Sequence, residues 1–321
     1  ALPRGLSKRR CAMSQTKSIL TRPWVVGLAA SFCCLLWGSA FPAVKIGYQL
    51  LGIGGEDSAA QIVYAGLRFF IAGILIVLFK CGKERRLVLP GKHAWPLIIK
   101  LGLVQTAVQY FFFYIGMAHT SGVKGSVITA SNVFWAILIS ALIFRFERLG
   151  AKKLLGCLCG FLGVVVINLS GGSLAGGLTL EGEGAIFLAA VANGLAVSMF
   201  KSYSAHEDTF VLCGYQFVLG GLLLIAGGLA GGGGITTFDG PSLLILGYMG
   251  VLSAVAYTIW SVLTKYNPVA SVAIYGFLNP VFGVLLSALL LGEQNQAFTI
   301  YGLLALLLVC LGIFLVNRSN P

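Results

Sequence analysis

Apolar positions run in long blocks along this chain, and polar positions gather in short intervals between them. Crossing bilayer hydrocarbon takes roughly 20 mostly apolar residues as a helix. That ruler predicts ten spans, at 24–49, 59–79, 95–118, 123–144, 152–170, 184–204, 209–230, 241–264, 269–291 and 298–316. The connections are short, and two are glycine-rich, at Gly171 to Gly177 and Gly231 to Gly234. A helix satisfies its own backbone in lipid. The expectation is an all-α membrane protein of ten transmembrane helices.

Composition agrees. The chain is 58% hydrophobic and 10% charged, against about half and about a quarter for soluble domains. A soluble enzyme, a disordered chain and a nucleic-acid-binding domain are excluded on that ground. Lys and Arg number 22 against 10 Asp and Glu, a formal charge of +12. This excess lies between the apolar runs, so it is a topology signal. With the N-terminus in the cytoplasm, the basic residues fall inside except Lys124, in an outside loop, and Lys45, Arg68 and Lys100, within spans. The bias is strongest in the first half, which sets the orientation. Both termini are then cytoplasmic, in what reads as a bacterial plasma membrane.

The basic stretch ahead of the first span resembles a secretory signal. No A-x-A-like site follows Val25 to Leu36, and Phe32 before Cys33 does not suit a lipoprotein cut. The run is therefore read as an uncleaved first span. Met13-Ser14-Gln15 reads as a natural start, which leaves residues 1–12 outside the fold. Of the eight cysteines, Cys33, Cys34, Cys157, Cys159, Cys213 and Cys310 lie in apolar runs. None has C-x-x-C or Cys/His spacing, so they read as small apolar fillers. No cofactor or metal is expected.

The chain repeats itself. At an offset of 147, Tyr110 falls on Tyr257, Asn132 on Asn279, and Ser140-Ala141-Leu142 on Ser287-Ala288-Leu289. At 148, Gly66-Leu67-Arg68-Phe69 falls on Gly214-Tyr215-Gln216-Phe217, and Gly73 on Gly221. At 156, Gly38 falls on Gly194, Ala40 on Ala196 and Lys45 on Lys201. After a one-residue gap, Glu147 matches Glu293. The chain divides into a cytoplasmic segment 1–23, five-helix repeats at 24–170 and 184–317, and a cytoplasmic end at 318–321. Five is odd, so the second repeat enters the membrane inverted. Inverted repeats have two alternative packings around a central site, the architecture of a secondary transporter.

Several local patterns stand in a telling order. They are Trp37-Gly38-Ser39-Ala40-Phe41, Gly66-Leu67-Arg68-Phe69, Thr120-Ser121-Gly122-Val123-Lys124, Leu278-Asn279-Pro280-Val281-Phe282 and Leu291-Gly292-Glu293. With the 5+5 spans, they resemble the EamA-type members of the drug/metabolite transporter superfamily, over residues 24–317. One departure is that Val133 stands where the second half has Pro280. The resemblance implies movement of small metabolites, often export of amino acids or drugs, without naming the substrate.

Polar side chains are costly in hydrocarbon and mark interiors or cavities. Arg68, near mid-depth, reads as a cavity cation for a carboxylate or phosphate, or as an arginine that snorkels or bonds helix-end carbonyls. Gln105 and Gln109 share a helix face at i,i+4, with Tyr110 and Tyr114 one residue round. Ser253, Tyr257 and Ser261 form a stripe beside Trp260 and Thr264. Aromatic walls with polar tips suit amphipathic metabolites, although interhelical packing uses the same residues. Asn132 and Asn279 are mid-helix and repeat-related, and Pro280 frees a carbonyl beside Asn279. Trp37 completes the candidate cavity. Lys45 and Lys124 stand at the outer mouth, as gate cations or as snorkelling helix-end lysines. Glu147, between Arg145 and Arg148, and Glu293 read as end anchors. Gly156 and Gly160 form a G-x-x-x-G packing face.

No span holds an aspartate or a central glutamate, which leaves the driving force open. His93, His119 and His206 all lie in loops, so an intramembrane protease lacks its groups. A channel-like facilitator and a non-transporting membrane subunit are the remaining rivals. Neither a like-charge ring nor a carbonyl-rich loop favours a channel. The expected partners are a small-molecule substrate and the lipid bilayer, with no nucleic acid; a homo-oligomer is left open.

Overall fold

The computed structural model describes residues 19–55, 57–119, 125, 128–169, 179–235, 237–291 and 300–318. The chain forms ten helical segments among these residues, with no strand. They are α1 (Pro23–Leu51), α2 (Ser58–Glu84), α3 (Ala94–Leu101, a π turn Gly102–Val108, then Gln109–Ala118), α4 (Asn132–Leu142) and α5 (Ala151–Leu169). The second half has α6 (a π turn Leu180–Gly184, then Ala185–Ser204), α7 (Thr209–Ala230), α8 (Gly240–Tyr266), α9 (Val269–Ala273, a 3-10 turn Ile274–Phe277, then Leu278–Leu291) and α10 (Ile300–Arg318). Six of these are long and apolar enough to cross a bilayer, and shorter apolar helices include Ile128–Leu142, Val269–Gly283 and Leu303–Arg318. This is an all-α, multi-pass membrane protein.

The helix ends follow local chemistry. Pro23 opens α1, where its missing N–H costs nothing. Gly52 closes α1 at φ 67°, the left-handed conformation that suits glycine. Asp57 accepts from the Ala60 N–H at the start of α2. Asp208 accepts from the Phe210 and Val211 N–H groups at the start of α7. Asp239 and Ser242 form a reciprocal capping box on α8. Between these ends the outer surface is apolar: Leu78, Phe79, Leu158, Leu162, Leu244 and Leu307 are all exposed. A belt of that kind is what hydrocarbon requires.

Small residues set the helix pairings, and the pairings repeat with the sequence. A Cβ on Gly66 would lie 2.8 Å from the Gly221 oxygen, and one on Gly73 would lie 2.7 Å from the Gly214 oxygen. The sequence repeat maps Gly66 to Gly214 and Gly73 to Gly221. Each glycine of α2 therefore meets the repeat partner of the other, the reciprocity of a twofold interface. The same relation joins different helices. A Cβ on Gly38 of α1 would lie 2.6 Å from the Phe282 Cβ of α9, and one on Gly194 of α6 would lie 2.6 Å from the Trp135 Cβ of α4. Gly194 is Gly38 shifted by 156 positions, and Phe282 is Trp135 shifted by 147. The fifth helices pack likewise, with Gly156 and Gly160 of α5 against Gly312 of α10.

Both fourth-type helices are interrupted at one repeat position. A turn at Ser131 precedes Asn132 in α4, and the 3-10 turn Ile274–Phe277 ends just before Leu278 and Asn279 in α9. The break in α4 forms with Val133 in place of proline. The two breaks adjoin, since a Cβ on Gly276 would sit 3.1 Å from Val133.

Candidate substrate site

Helices from both halves build an aromatic box around Arg68. The arginine projects from α2 and is 6% exposed. Its guanidinium carbon stands 4.5 Å from the Phe69 ring centroid and 5.7 Å from that of Tyr110. Tyr64, Tyr110, Tyr114 and Tyr257 surround its charge. Phe69 stacks on Phe217 of α7 at 5.2 Å, and Phe217 meets Tyr257 of α8 edge-on at 4.9 Å. Trp37 of α1 packs edge-on against Tyr257 at 5.1 Å and Trp260 at 5.0 Å. The hydroxyls of Tyr110 and Tyr257 are hydrogen-bonded at 2.5 Å. Tyr48 lies edge-on to Tyr64 at 5.6 Å.

The charge in this box has no acidic counterpart among the described residues. Their ion pairs are Lys80–Glu84, Lys80–Asp208, Arg86–Glu84 and Lys153–Glu147. The described carboxylates all stand at helix ends, as Asp57, Asp208 and Asp239 do in their caps. Arg68 Nε, Tyr64 Oη and Trp37 Nε1 are buried without a hydrogen-bond partner. Each such group costs about 1–3 kcal/mol when left unsatisfied. Gly47 provides the room for the Tyr64 hydroxyl, because a Cβ there would collide with it.

Five of the sequence candidates thus come together: Trp37, Arg68, Tyr110, Tyr257 and Trp260. The glutamines behave differently. Gln105 lies in the π turn of α3, buried with its Oε1 unpartnered. Gln109 accepts from Asn193 Nδ2 of α6 at 3.3 Å, so it serves helix packing. The π turn widens the helix between them and breaks the plain i,i+4 spacing. Gln216, the repeat counterpart of Arg68, accepts from Thr106 Oγ1 at 2.9 Å and leaves Nε2 unpartnered. On α8, Ser253 and Thr264 donate to their own helix, at Met249 and Trp260, while Tyr257 and Trp260 of that stripe enter the box.

Asn132 and Asn279 form a separate locus at the adjoining helix breaks. Asn279 Oδ1 is buried without a partner, as are Thr129 Oγ1 and Ser131 Oγ. Lys45 is exposed, and Lys124 lies outside the described residues. Lys201, the repeat match of Lys45, instead donates to the Thr264 oxygen at 2.9 Å and to that of Asn267, closing α8. Glu147 is an end anchor, with a different partner from its neighbouring arginines. It pairs with buried Lys153 at 2.7 Å and accepts from Ser140 Oγ and the Ala270 N–H. Glu293 lies outside the described residues.

Sequence reasoning passed over Tyr48, Tyr64, Phe69 and Phe217 as members of the box. Aromatic residues in apolar helices carry no mark that separates a cavity wall from a lipid-facing or packing position. The one usable signal was the repeat, which paired Phe69 with Phe217 as it paired Tyr110 with Tyr257.

The comparisons agree with this architecture. The model of the EamA-like transporter family matches twice, at residues 24–169 and 180–318. A chloroplastic WAT1-related protein of Arabidopsis thaliana is 26% identical over 303 residues, covering 92% of this chain and 69% of its own. An uncharacterized transporter of Archaeoglobus fulgidus is 27% identical, covering 93% of this chain and 100% of its own. A probable amino-acid metabolite efflux pump of Escherichia coli is 25% identical, covering 86% and 90%. A solved crystal structure superposes with a TM-score of 0.74 at 18% identity, covering 92% of this chain and 99% of the other, which speaks for the fold. With matches in both halves that together span nearly its whole length, the chain belongs to the EamA-like transporter family.

Proposed function

We propose that this protein is a secondary transporter that exports small amphipathic metabolites by alternating access between inverted repeats at 24–170 and 184–317. The observation that carries the reading is the box around Arg68, whose walls come from α1, α2 and α3 of one half and α7 and α8 of the other. A site shared between related halves is uncovered from one side or the other as they rock. Rocking breaks the Tyr110–Tyr257 hydrogen bond and remakes it, at modest cost, because each hydroxyl finds water or solute in its place. The interrupted helices α4 and α9 supply the bending points. The efflux pump among the relatives supports export of amino acids and related metabolites.

Trp37, Arg68, Tyr110, Tyr257 and Trp260 would contact solute, Gln105 would line its approach on α3, and Asn132 and Asn279 would offer a second polar station. Lys45 and Lys124 would stand at the outer mouth of a plasma-membrane protein with both termini in the cytoplasm.

Proteoliposomes containing the purified protein test this. Vesicles preloaded with a metabolite extract should take up labelled solute by counterflow, with saturation. Unsaturable flux at channel rates, or no flux of any solute, would overturn the proposal. A periplasmic reporter fused after Asn317 should be inactive; activity there contradicts the orientation.

A further inference from the structure

We infer that Arg68 is the anchor for a carboxylate, and that the solute is a monocarboxylate anion with an apolar or aromatic body. This rests on the transporter reading and goes further, to the chemistry of the ligand.

Three observations carry it. The first is charge. Arg68 is 6% exposed and is absent from every ion pair among the described residues. Arginine stays protonated under all ordinary conditions. A lone buried cation is expensive, and its retention calls for an anion that completes it. The second is the unused hydrogen-bonding capacity. Arg68 Nε and Trp37 Nε1, the latter on a ring packed against Tyr257, are donors only, and both are buried and unpartnered. Donors in excess around one positive charge match an acceptor-rich group of one negative charge. A planar guanidinium meets a carboxylate with two parallel hydrogen bonds. A dianion such as a phosphate monoester would bring surplus charge into a wall where, among the described residues, no second cation meets it. The third is the wall. Trp37, Phe69, Tyr110 and Tyr257 present rings to the remainder of the solute, which must therefore be apolar. The same charge repels organic cations.

Phenylacetate, its neutral isostere phenylacetamide and the cation 2-phenylethylamine separate the alternatives. Labelled phenylacetate should bind the purified full chain in detergent. Phenylacetamide should compete about 10- to 100-fold more weakly, the worth of a charge-assisted bidentate pair, and 2-phenylethylamine should not compete. Arg68→Gln should bring acid and amide to equal affinity, and Arg68→Lys should restore part of the preference. Equal affinity of acid and amide for the unaltered protein would overturn the inference, and this arm does not depend on any variant folding. A preference unchanged in Arg68→Gln, or failure of all three compounds to bind at millimolar concentration, would overturn it too. Acid-selective binding without counterflow in vesicles would uphold the anchor and sink the transport reading. Counterflow of other solutes with no acid preference would do the reverse.

Discussion

The hydroxyls of Tyr110 and Tyr257 meet 2.5 Å apart, and the two residues stand 147 positions apart in sequence. That interval is also the one that carries Asn132 to Asn279. A residue in contact with its own repeat counterpart lies on the axis that relates the repeats. Phe69 and Phe217, repeat counterparts at an interval of 148, stack on each other one helix away. The box is therefore centred where the halves meet, and neutral Gln216 as the repeat counterpart of Arg68 makes the halves electrically unequal.

The tyrosine pair should behave as a unit. Tyr110→Phe or Tyr257→Phe alone strands the other hydroxyl in a buried place and should destabilise by about 1–3 kcal/mol. The double variant removes both groups and should be no less stable than either single one. Thermal unfolding of the three variants in one detergent checks this. A double variant that loses the sum of the two single effects would show the hydroxyls to be independent.

The α2–α7 crossing should tolerate no added side chain. Gly66→Leu and Gly221→Leu each drive a side chain into backbone at less than 3 Å and should abolish a monodisperse peak in size exclusion. Gly82 and Gly227 have open space around them, so Gly82→Ala and Gly227→Ala should leave that peak unchanged. The contrast isolates close packing from general loss of glycine.

The Glu147–Lys153 pair is buried on both sides, with side chains 7% and 6% exposed. Glu147→Gln or Lys153→Met should lower stability by about 3–5 kcal/mol through the uncompensated partner, and the combined variant should recover much of it. A melting series on the two single variants and the combination reads the outcome. Because Glu147 also accepts from the Ala270 N–H, the losses should include looser docking of the start of α9, visible as faster amide exchange there.

The Asp239 cap gives a pH signature. Hydrogen bonds from Ser242 hold its carboxyl below the ordinary aspartate range. A depressed folded-state value means that the cap contributes above the unfolded pKa of about 4 and fades as pH falls below it. The melting-temperature difference between the unaltered protein and Asp239→Ala should be steady near neutrality and shrink as the pH falls below about 4. A difference that grows on acidification would contradict this assignment.

Much of the fold was legible because lipid leaves few choices. A run of roughly 20 apolar residues has to be a helix whose backbone bonds are internal, and α7 and α9 begin and end where the runs do, at Thr209, Ala230, Val269 and Leu291. The repeat was legible as well, since interval and residue identity survive in one dimension.

The membership of the site was not. Gln109 and Tyr110 are neighbours in sequence, yet one binds Asn193 in a packing seam and the other meets Tyr257 in the box. One residue turns a helix by about 100°, and the π turn before them adds a rotation that no periodicity discloses. The sequence by itself determined that the chain is built of ten apolar helical runs, where α7 and α9 begin and end, and that the runs come as two related sets. Only the tertiary structure decided which polar tips face one another, because that depends on how closely glycines such as Gly66 and Gly221 let two backbones approach, and approach distances are not written along a chain.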